Sequence, residues 1–275
     1  MRLGIDIGGT NISLGLVDNG TVVRSISVPS FHKDDTMEQT LEYISSKIEK
    51  LITPETDMIG IGVPSVVDIN KGIVYETQNI PSWKEVHLKE YLEERFGVRV
   101  AVNNDANCYA MGVYGTFPAD SKPGDLVVIT LGTGVGLGIV HEGKLFCGAN
   151  CGAGELCSLP YMDSILEDYC SKKYFTAAGW DSIAAAQAAI EKAPAAIQLF
   201  EEFGKHMGAL LTAVMLAYDP SHIVLSGGIA HNYPFFRESM VRHIREGYPY
   251  MNSFEKLVIG TCTDDNIPVL GAALI

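Results

Sequence analysis

The chain has 275 residues, of which 47% are hydrophobic and 19% are charged, and its formal net charge is −13. This length predicts two modest domains, and the composition is that of a globular protein with a substantial core. An acidic chain without clustered lysines and arginines does not favour a nucleic-acid partner, because phosphate recognition by proteins depends on such clusters. Small anionic ligands remain compatible with it where backbone amides and a metal ion supply positive charge.

The start of the chain and its apolar segments predict a cytoplasmic protein that does not enter a membrane. The first strand follows Met1-Arg2 at once, without a leading apolar segment. The most apolar helical stretch, around 207–217, is too short to span a bilayer. Reduced thiols are expected, because the cysteines form no compact disulfide framework in a chain of this length. They are Cys108, Cys147, Cys151, Cys157, Cys170 and Cys262.

The first element is a short apolar strand at 3–5, which ends in the turn Asp6-Ile7-Gly8-Gly9-Thr10. Glycine lets backbone N–H groups approach an anionic oxygen, and threonine adds a hydroxyl donor. The alternation over 12–17, followed by Asp18-Asn19-Gly20, predicts a hairpin. The segment is compatible with a phosphate-binding turn and also with a hairpin whose glycines serve only the turn geometry.

The next segments alternate between helices and strands. In chain order, the spacing of apolar residues predicts a helix over 37–51, a strand over 58–63, a helix over 88–96 and a strand over 98–102. Asp105 follows the last of these strands, where a carboxylate can project into a cleft as a general base. It can equally serve as the N-cap of the helix that runs through 108–113.

A break over 117–125, which contains prolines and a glycine, predicts a boundary between domains 1–117 and 118–275. The second domain begins like the first, with a strand over 126–129, the turn Leu131-Gly132-Thr133-Gly134 and an alternating run. This turn does not match the dinucleotide-binding fingerprint, because the chain continues as a strand and opens no helix.

The remainder of the chain also alternates. The pattern predicts a helix from about 195 to 217 that ends at Asp219-Pro220, a strand over 222–225, a helix over 234–246 and a short strand over 257–259. This order indicates an α/β protein with mostly internal strands.

Six segments in one order resemble the ROK family of bacterial sugar kinases and regulators, within the superfamily that includes actin. They are Gly4-Ile5-Asp6-Ile7-Gly8-Gly9-Thr10, Gly60-Ile61-Gly62-Val63-Pro64, Val102-Asn103-Asn104-Asp105-Ala106-Asn107, Leu131-Gly132-Thr133-Gly134-Val135-Gly136, Gly152-Ala153-Gly154-Glu155 and Leu225-Ser226-Gly227-Gly228. The resemblance covers almost the whole chain. It implies a two-domain, actin-like ATPase (ribonuclease H-like) fold with an interdomain cleft, and homodimers are common in similar proteins.

The resemblance also implies roles for individual residues. Asp105 is similar to the catalytic base, and the sugar hydroxyls are expected to bind Asn104, Asp105, Glu155 and Glu167. Asp6 is expected to orient Mg²⁺ through water, and the phosphates of ATP to bind Gly8, Gly9, Thr10, Gly132, Thr133 and Gly134. The adenosine is expected to lie against Gly227 and Gly228.

Simpler interpretations of these residues stay open. Asp6 can be a turn carboxylate that accepts from nearby amides, and Glu155 can be a solvated loop charge. Glu167 can belong to an acidic first helical turn, where the helix dipole favours negative charge. The pair Gly227-Gly228 can be only a turn before the next helix.

One departure from the family pattern concerns zinc. Typical members have a histidine after the Gly-Glu pair and a cysteine-rich loop that binds structural zinc. Ser158 stands at the histidine position here, and the loop is shortened. We therefore expect no structural zinc. Because the loop is altered, the family pattern does not fix the identity of the sugar.

The expected activity is transfer of the γ-phosphate of ATP to a hexose, with glucose at its 6-hydroxyl as the first expectation. A kinase for N-acetylmannosamine, fructose or allose and a non-catalytic sugar sensor are the alternatives. Repressors of the family carry an N-terminal helix-turn-helix, for which this sequence has no residues before its first strand. The presence of Asp105 and of both Gly/Thr turns favours the kinase over the sensor.

Overall fold

The computed structural model describes residues 1–77 and 79–275. The first part of the chain forms β1 (Arg2–Ile7), β2 (Asn11–Asp18), β3 (Thr21–Pro29), α1 (Met37–Ile48), β4 (Met58–Val63), β5 (Val66–Asp68), β6 (Ile73–Tyr75), β7 (Glu85–Val86), α2 (Leu88–Phe96), β8 (Arg99–Asn104) and α3 (Asp105–Thr116). The second part begins with β9 (Leu126–Leu131), β10 (Val135–His141), β11 (Lys144–Leu145), a 3₁₀ turn (Glu155–Ser158), β12 (Pro160–Tyr161), β13 (Ser164–Ile165), α4 (Leu166–Cys170), α5 (Lys172–Ala177) and α6 (Ser182–Ile190). It ends with α7 (Pro194–Tyr218), β14 (His222–Ser226), a second 3₁₀ turn (Gly228–Asn232), α8 (Tyr233–Gly247), α9 (Met251–Phe254), β15 (Val258–Cys262) and α10 (Ile267–Leu274).

Two five-stranded sheets of the described residues share one plan. Their strand orders are β3-β2-β1-β4-β8 and β11-β10-β9-β14-β15. In each sheet the first strand pairs antiparallel with the next strand of the chain and parallel with a later one. The strand, turn and hairpin predicted at the start of each half are therefore confirmed as equivalent parts of two similar sheets.

Several predicted bounds agree with the structure and others differ, and two of the differences have clear physical reasons. β4 and α2 have the predicted limits, and Gly97 closes α2 in a left-handed conformation. α1 ends at Ile48, before the predicted residue 51, because the next residues form tighter turns. β8 extends past the predicted residue 102 to Asn104, because β4 supplies backbone partners for two further residues.

The register of the first sheet aligns the ends of three parallel strands. Asp6 of β1 pairs with Gly62 of β4, and Gly62 pairs in turn with Asn103 of β8. Because the carboxyl ends of parallel strands meet at one sheet edge, Asp6 and the segment before Asp105 lie side by side.

The last helix, α10, packs against β1, β4 and α3. A Cβ at Gly60 would lie 1.7 Å from the carbonyl oxygen of Ala272, and one at Gly271 would lie 1.7 Å from that of Cys108. Glycine is thus required at both positions by direct backbone contact. The last helix of the predicted second domain thereby holds together the elements that carry Asp6 and Asp105.

Two large hydrophobic clusters support the two sheets. The larger one surrounds α7, whose Phe200 and Phe203 are fully buried and whose neighbour is α8. Among the helices of the described residues, none is both long enough and apolar enough to span a bilayer.

Candidate active site

Asp6 and Asp105 form a pair of interacting carboxylates at the carboxyl edge of the first sheet. Burial, and in second place the charge of Asp105, raise the pKa of Asp6 to about 7. Burial also raises the pKa of Asp105 to about 6, and the charge of Glu155 adds to this shift. Hydrogen bonds from backbone N–H groups lower the Asp105 pKa and oppose the shift. Three carboxylates from different parts of the chain therefore interact electrostatically here.

Asn104, and not Asp105, is the N-cap of α3. The Asn104 side-chain oxygen accepts from the backbone N–H of Ala106 at 2.9 Å and from that of Asn107 at 3.3 Å. Its amide nitrogen donates to the carbonyl oxygen of Ser65 at 3.4 Å. Asp105 also accepts from the Ala106 N–H, at 2.9 Å, and is the first helical residue. The N-cap role that the sequence also allowed for Asp105 thus belongs mainly to Asn104.

The first Gly/Thr turn is held by backbone bonds and by one serine. The N–H of Gly8 donates to the carbonyl oxygen of Asn11, and Ser30 Oγ donates to the Gly8 carbonyl oxygen at 2.8 Å. Gly9 and Thr10 are exposed, and a Cβ at Gly9 would lie 3.1 Å from Nδ2 of Asn79. The turn therefore presents its backbone on an open face.

The second Gly/Thr turn lies against α4 and α5. The Gly132 carbonyl oxygen accepts from the N–H of Lys172 at 2.9 Å. Glu167 Oε2 accepts from the N–H of Val135 at 3.2 Å, and Glu167 Oε1 accepts from Lys173 Nζ at 2.6 Å. A Cβ at Gly134 would lie 2.6 Å from Glu167 Oε2. Glu167 is thus tied to this turn, and neither glycine of the turn has a left-handed φ.

The strand β10 connects the second turn with the carboxyl edge of the first sheet. A Cβ at Gly138 would lie 2.2 Å from the carbonyl oxygen of Ala106, and one at Gly136 would lie 2.9 Å from Cβ of Ala106. The residue after Asp105 therefore packs directly on β10. These contacts bring Asp105 toward the second turn, which the spacing in the sequence does not indicate.

Two further glycines owe their identity to local geometry. Gly154 has a φ of +100°, and a Cβ there would lie 2.4 Å from the carbonyl oxygen of Leu137 in β10. This contact fixes the exposed Glu155 next to β10. Gly227 has a φ of +82°, and its Cβ would lie 2.6 Å from the carbonyl oxygen of Leu131. Gly228 is different, because no described heavy atom lies within 4 Å of its Cβ position.

An open cavity of about 510 Å³ lies beside this site. Glu155 lines it, together with residues 148–150 and 152–154 of the preceding loop and with Phe146, Leu156 and Tyr218. The other predicted site residues lie outside this cavity. Asp6, Asp105 and Glu155 thus lie near enough to one another to interact electrostatically, and Glu167 contacts the second turn. The first turn packs beside Ser30 and Asn79.

The donor set around Asp6 suits a hard divalent cation. Two neighbouring carboxylates with raised pKa values repel each other, and a cation would offset that repulsion. Mg²⁺ usually binds one or two carboxylates together with substrate phosphates, so it needs no cage of protein ligands. Over residues 1–77 and 79–275, no group of three or more His, Cys, Asp or Glu side chains is placed to hold a metal.

Four residues around the site were not singled out from the sequence. Ser30 and Asn79 border the first turn, Lys173 pairs with Glu167, and Asn103 accepts from the N–H of Asn104 at 2.8 Å. Only Asn103 had a signal, since it stands inside the motif that contains Asp105. The others are brought to the site by tertiary contacts.

A model of the ROK family matches residues 2–275. The chain belongs to the ROK family. Solved structures support the same conclusion at the level of fold. A ROK hexokinase from Thermus thermophilus superposes with a TM-score of 0.83 at 24% identity, covering 99% of this chain and 96% of that one. A ROK glucokinase from Streptomyces griseus in complex with glucose and AMPPNP gives 0.80 at 26% identity, covering 99% and 97%. The predicted actin-like ATPase fold is confirmed.

Several sequence relatives are named as sugar kinases, and a xylose repressor of Bacillus spizizenii is 24% identical over 99% of this chain and 76% of its own length. A glucokinase of Streptomyces coelicolor is 29% identical over 84% of this ROK chain and 82% of its own length. An N-acetyl-D-glucosamine kinase of Vibrio parahaemolyticus is 29% identical over 100% of this chain and 99% of its own. A glucokinase of Thermotoga maritima is 34% identical over 56% of this chain, and that match spans only about half, 49%, of the relative.

Proposed function

We propose that this ROK protein is an ATP-dependent sugar kinase that transfers the γ-phosphate of ATP to a hydroxyl of a hexose. Glucose, phosphorylated at its 6-hydroxyl, is the first candidate substrate. The family match and the relatives named as kinases support phosphoryl transfer to a sugar. The particular sugar rests on the glucokinases among these relatives.

The observation that carries the proposal is the environment of Asp105. Its pKa is raised to about 6, so at neutral pH it is ionised and still basic enough to accept a proton efficiently. In the proposed reaction Asp105 accepts the proton of the attacking sugar hydroxyl as that oxygen bonds to the γ-phosphorus. A catalytic aspartate has this part in other phosphoryl transfers.

The two Gly/Thr turns are proposed to hold the phosphates. Exposed backbone at Gly9 and Thr10 and open space above Gly132 support this role. Mg²⁺, when bound with ATP, supplies positive charge that offsets the charge of the phosphates, and Asp6 would hold it through water. Gly228, which has open space at its Cβ position, is proposed to let adenosine lie on the backbone.

The sugar is proposed to bind between Asp105 and Glu155. Carboxylates accept from vicinal hydroxyls, and a wrong epimer leaves such groups unpaired at a cost in binding free energy. Asn104 would contribute through its amide nitrogen, because its oxygen caps α3. Glu167 would contribute only if its bond to Lys173 opens or is shared with the sugar.

A coupled ADP-release assay over a panel of hexoses and N-acetylhexosamines tests the proposal. We expect one sugar to give clear turnover with Mg²⁺-ATP and phosphorylation at its primary hydroxyl. Turnover only with N-acetylmannosamine, N-acetylglucosamine, fructose or allose would keep the kinase and replace the substrate. Binding of a sugar without turnover on any member would favour the sensor and reject the kinase.

A further inference from the structure

Two cysteines of one loop meet beside the Asp105 segment. The loop that follows β11 carries Cys147 and Cys151, whose sulfurs both lie within hydrogen-bond distance of the side-chain amide of Asn103. The N–H of Ala153 donates to the carbonyl oxygen of Cys147 at 3.1 Å, and this bond closes the loop. Gly148 and Cys151 have left-handed φ values of +72° and +58°, which turn the chain back on itself. Both sulfurs thereby point to the same place.

That place is the side-chain amide of Asn103. Cys151 Sγ donates to Asn103 Oδ1 at 3.4 Å, and Asn103 Nδ2 donates to Cys147 Sγ at 3.7 Å. The same Oδ1 accepts from the Asn104 N–H at 2.8 Å and from Asn107 Nδ2 at 3.0 Å. One buried amide therefore joins the cysteine loop to the strand end and helix start that carry Asp105.

Cys151 also reaches across from the second sheet to the first. It is only 6% exposed and belongs to the hydrophobic cluster of the first sheet. Asn107 Nδ2 donates to Cys151 Sγ at 3.6 Å. The bond from Cys147, with further bonds from Asn107 and from backbone amides, lowers the pKa of the Cys151 thiol. The interaction with the Cys151 sulfur, and in second place burial, raise the pKa of the Cys147 thiol.

We propose that Cys147 and Cys151 are a redox-active dithiol that hydrogen peroxide oxidises to a disulfide, which shifts the segment from Asn103 to Asn107. The site goes beyond the proposed kinase function, and it is defined by contacts that the proposed catalysis does not use. A partner thiol next to a stabilised thiolate is the arrangement that reversible oxidation requires.

The oxidation proceeds in two steps. The Cys151 thiolate attacks one peroxide oxygen, the O–O bond breaks, and a sulfenic acid and hydroxide are formed. The Cys147 sulfur then attacks the sulfenic sulfur, the S–O bond breaks, and the oxygen leaves as water with the thiol proton. Two thiols lose two electrons and one peroxide becomes two waters. The new S–S bond of about 2.05 Å leaves neither sulfur with a proton to donate to Asn103 and draws both sulfurs from that amide.

Mass analysis tests the disulfide without any enzyme assay. Cleavage after Glu142 and Glu155 by a glutamyl endopeptidase releases peptide 143–155, in which Cys147 and Cys151 are the two cysteines. After peroxide treatment of the folded protein, we expect this peptide to lose about 2 Da and to recover the mass with a reductant. In C147S, peroxide should leave a sulfenic acid on Cys151 that a dimedone probe traps. C157S is the matched control, because Cys157 is equally buried but lies outside the pair. This variant should still form the disulfide between Cys147 and Cys151.

Hydrogen exchange tests the effect on the Asp105 segment. Loss of the Asn103 contacts should speed exchange of the Asn104 amide by up to about tenfold in the oxidised protein, the effect of one ordinary hydrogen bond. C157S should show the same change and C147S should not. A peptide that stays reduced, or that is oxidised only to sulfinic acid, overturns the proposal. So does a disulfide with unchanged exchange over 103–107.

A fall in turnover on oxidation is a further expectation that rests on the proposed function. Because the mass and exchange measurements need no substrate, they stand even if the protein phosphorylates no sugar. Failure of the kinase proposal and failure of the dithiol proposal are therefore distinguishable.

Discussion

At the scale of single residues, Asp105 is the expected catalytic base, and the burial of its charge has a cost in folding free energy. It is partly buried, its charge interacts with Asp6 and Glu155, and burial is the main cause of its raised pKa. A charged group placed in such surroundings is characteristic of functional sites, because folding alone gains nothing from it. Both the catalytic role and the cost can be measured with one substitution.

Asp105→Asn should remove turnover while leaving sugar binding largely intact. The amide keeps the shape of the side chain but cannot accept the hydroxyl proton. We expect kcat to fall by about 10²-fold or more, with little change in the sugar Kd. Steady-state kinetics and calorimetry on the purified variant measure the two quantities. Asp34→Asn, at an exposed position, is the matched control, and near-normal turnover in the Asp105 variant would exclude the base role.

The same substitution should change how stability depends on pH. The Asp105 pKa is raised from 3.8 to about 6, so between these values the folded state holds a proton that the unfolded chain has released. Wild-type stability therefore falls as pH rises through this window, and the Asn variant lacks this part of the loss. We expect similar urea midpoints at pH 4.5 and a higher midpoint for the variant at pH 8, without Mg²⁺. An equal difference in urea midpoint between wild type and variant at both pH values would contradict the raised pKa of Asp105.

At the scale of elements, backbone contacts of glycine decide how the helices lie on the first sheet. α10 touches β4 at Gly60 and α3 at Gly271, with carbonyl oxygens where side chains would stand. This close packing of α10 fixes the relative position of β1, β4 and α3, and hence of the two aspartates.

Gly60→Ala should destabilise the fold by about 1–3 kcal/mol or more, because the new methyl would overlap the Ala272 carbonyl oxygen. Urea denaturation of the variant gives the change in the free energy of unfolding. Gly260→Ala in β15 is the control, since no described heavy atom lies within 4 Å of its Cβ position. Equal stability of the two variants would show that α10 can move away from the sheet at little cost.

The second Gly/Thr turn offers a test of ATP binding that leaves the packing unchanged. Gly132→Val places its side chain in open space, where the phosphates are proposed to lie. We expect the Kd for ATP to rise by about tenfold or more, the loss of one hydrogen bond to a charged group, with unchanged sugar affinity. Calorimetric titration of both ligands measures this, and Gly124→Val in the exposed boundary loop is the control. Lost sugar affinity with intact ATP affinity would reverse the assignment of the turn.

Gly134 is a poorer position for this test. A side chain there would collide with Glu167, which is itself a proposed sugar contact. The requirement for glycine at 134 is therefore one of space beside a carboxylate, since the residue has no left-handed φ. A valine at this position would disturb both ligands at once.

At the scale of the whole molecule, two similar sheets are joined through α10, β10 and the cysteine loop. The predicted boundary at 117/118 and a homodimer stay predictions, and so do the ligand roles of the individual site residues. The metal content is a further property of the whole molecule that can be measured directly.

We expect the purified protein to contain no stoichiometric zinc. Cys147 and Cys151 share one amide partner, and Cys157 and Cys170 are buried as free thiols. Structural zinc needs four ligands in a tetrahedron, usually supplied by closely spaced pairs. Elemental analysis after gel filtration measures the content. About one zinc per chain, removed by a chelator with loss of thermal stability, would contradict this expectation.

The sequence alone determined the main strands and helices and the family, but not α10 or the short elements. Local signals were sufficient for α2 and β4, because Gly97 and Pro64 end them and their apolar patterns are regular. The two Gly/Thr turns could be recognised because each follows a strong strand and precedes a hairpin. The six motifs placed Asp105 in the candidate site before any contact was known.

Only the tertiary structure decided which of these groups meet. Asp6 and Asp105 are 99 positions apart, and strand register and α10 packing bring them to one sheet edge. The attachment of Glu167 to the second turn and the meeting of Cys147, Cys151 and Asn103 depend on contacts between distant segments. Local patterns carry no record of such contacts, because periodicity reports the face of an element and not the partner against which that face packs.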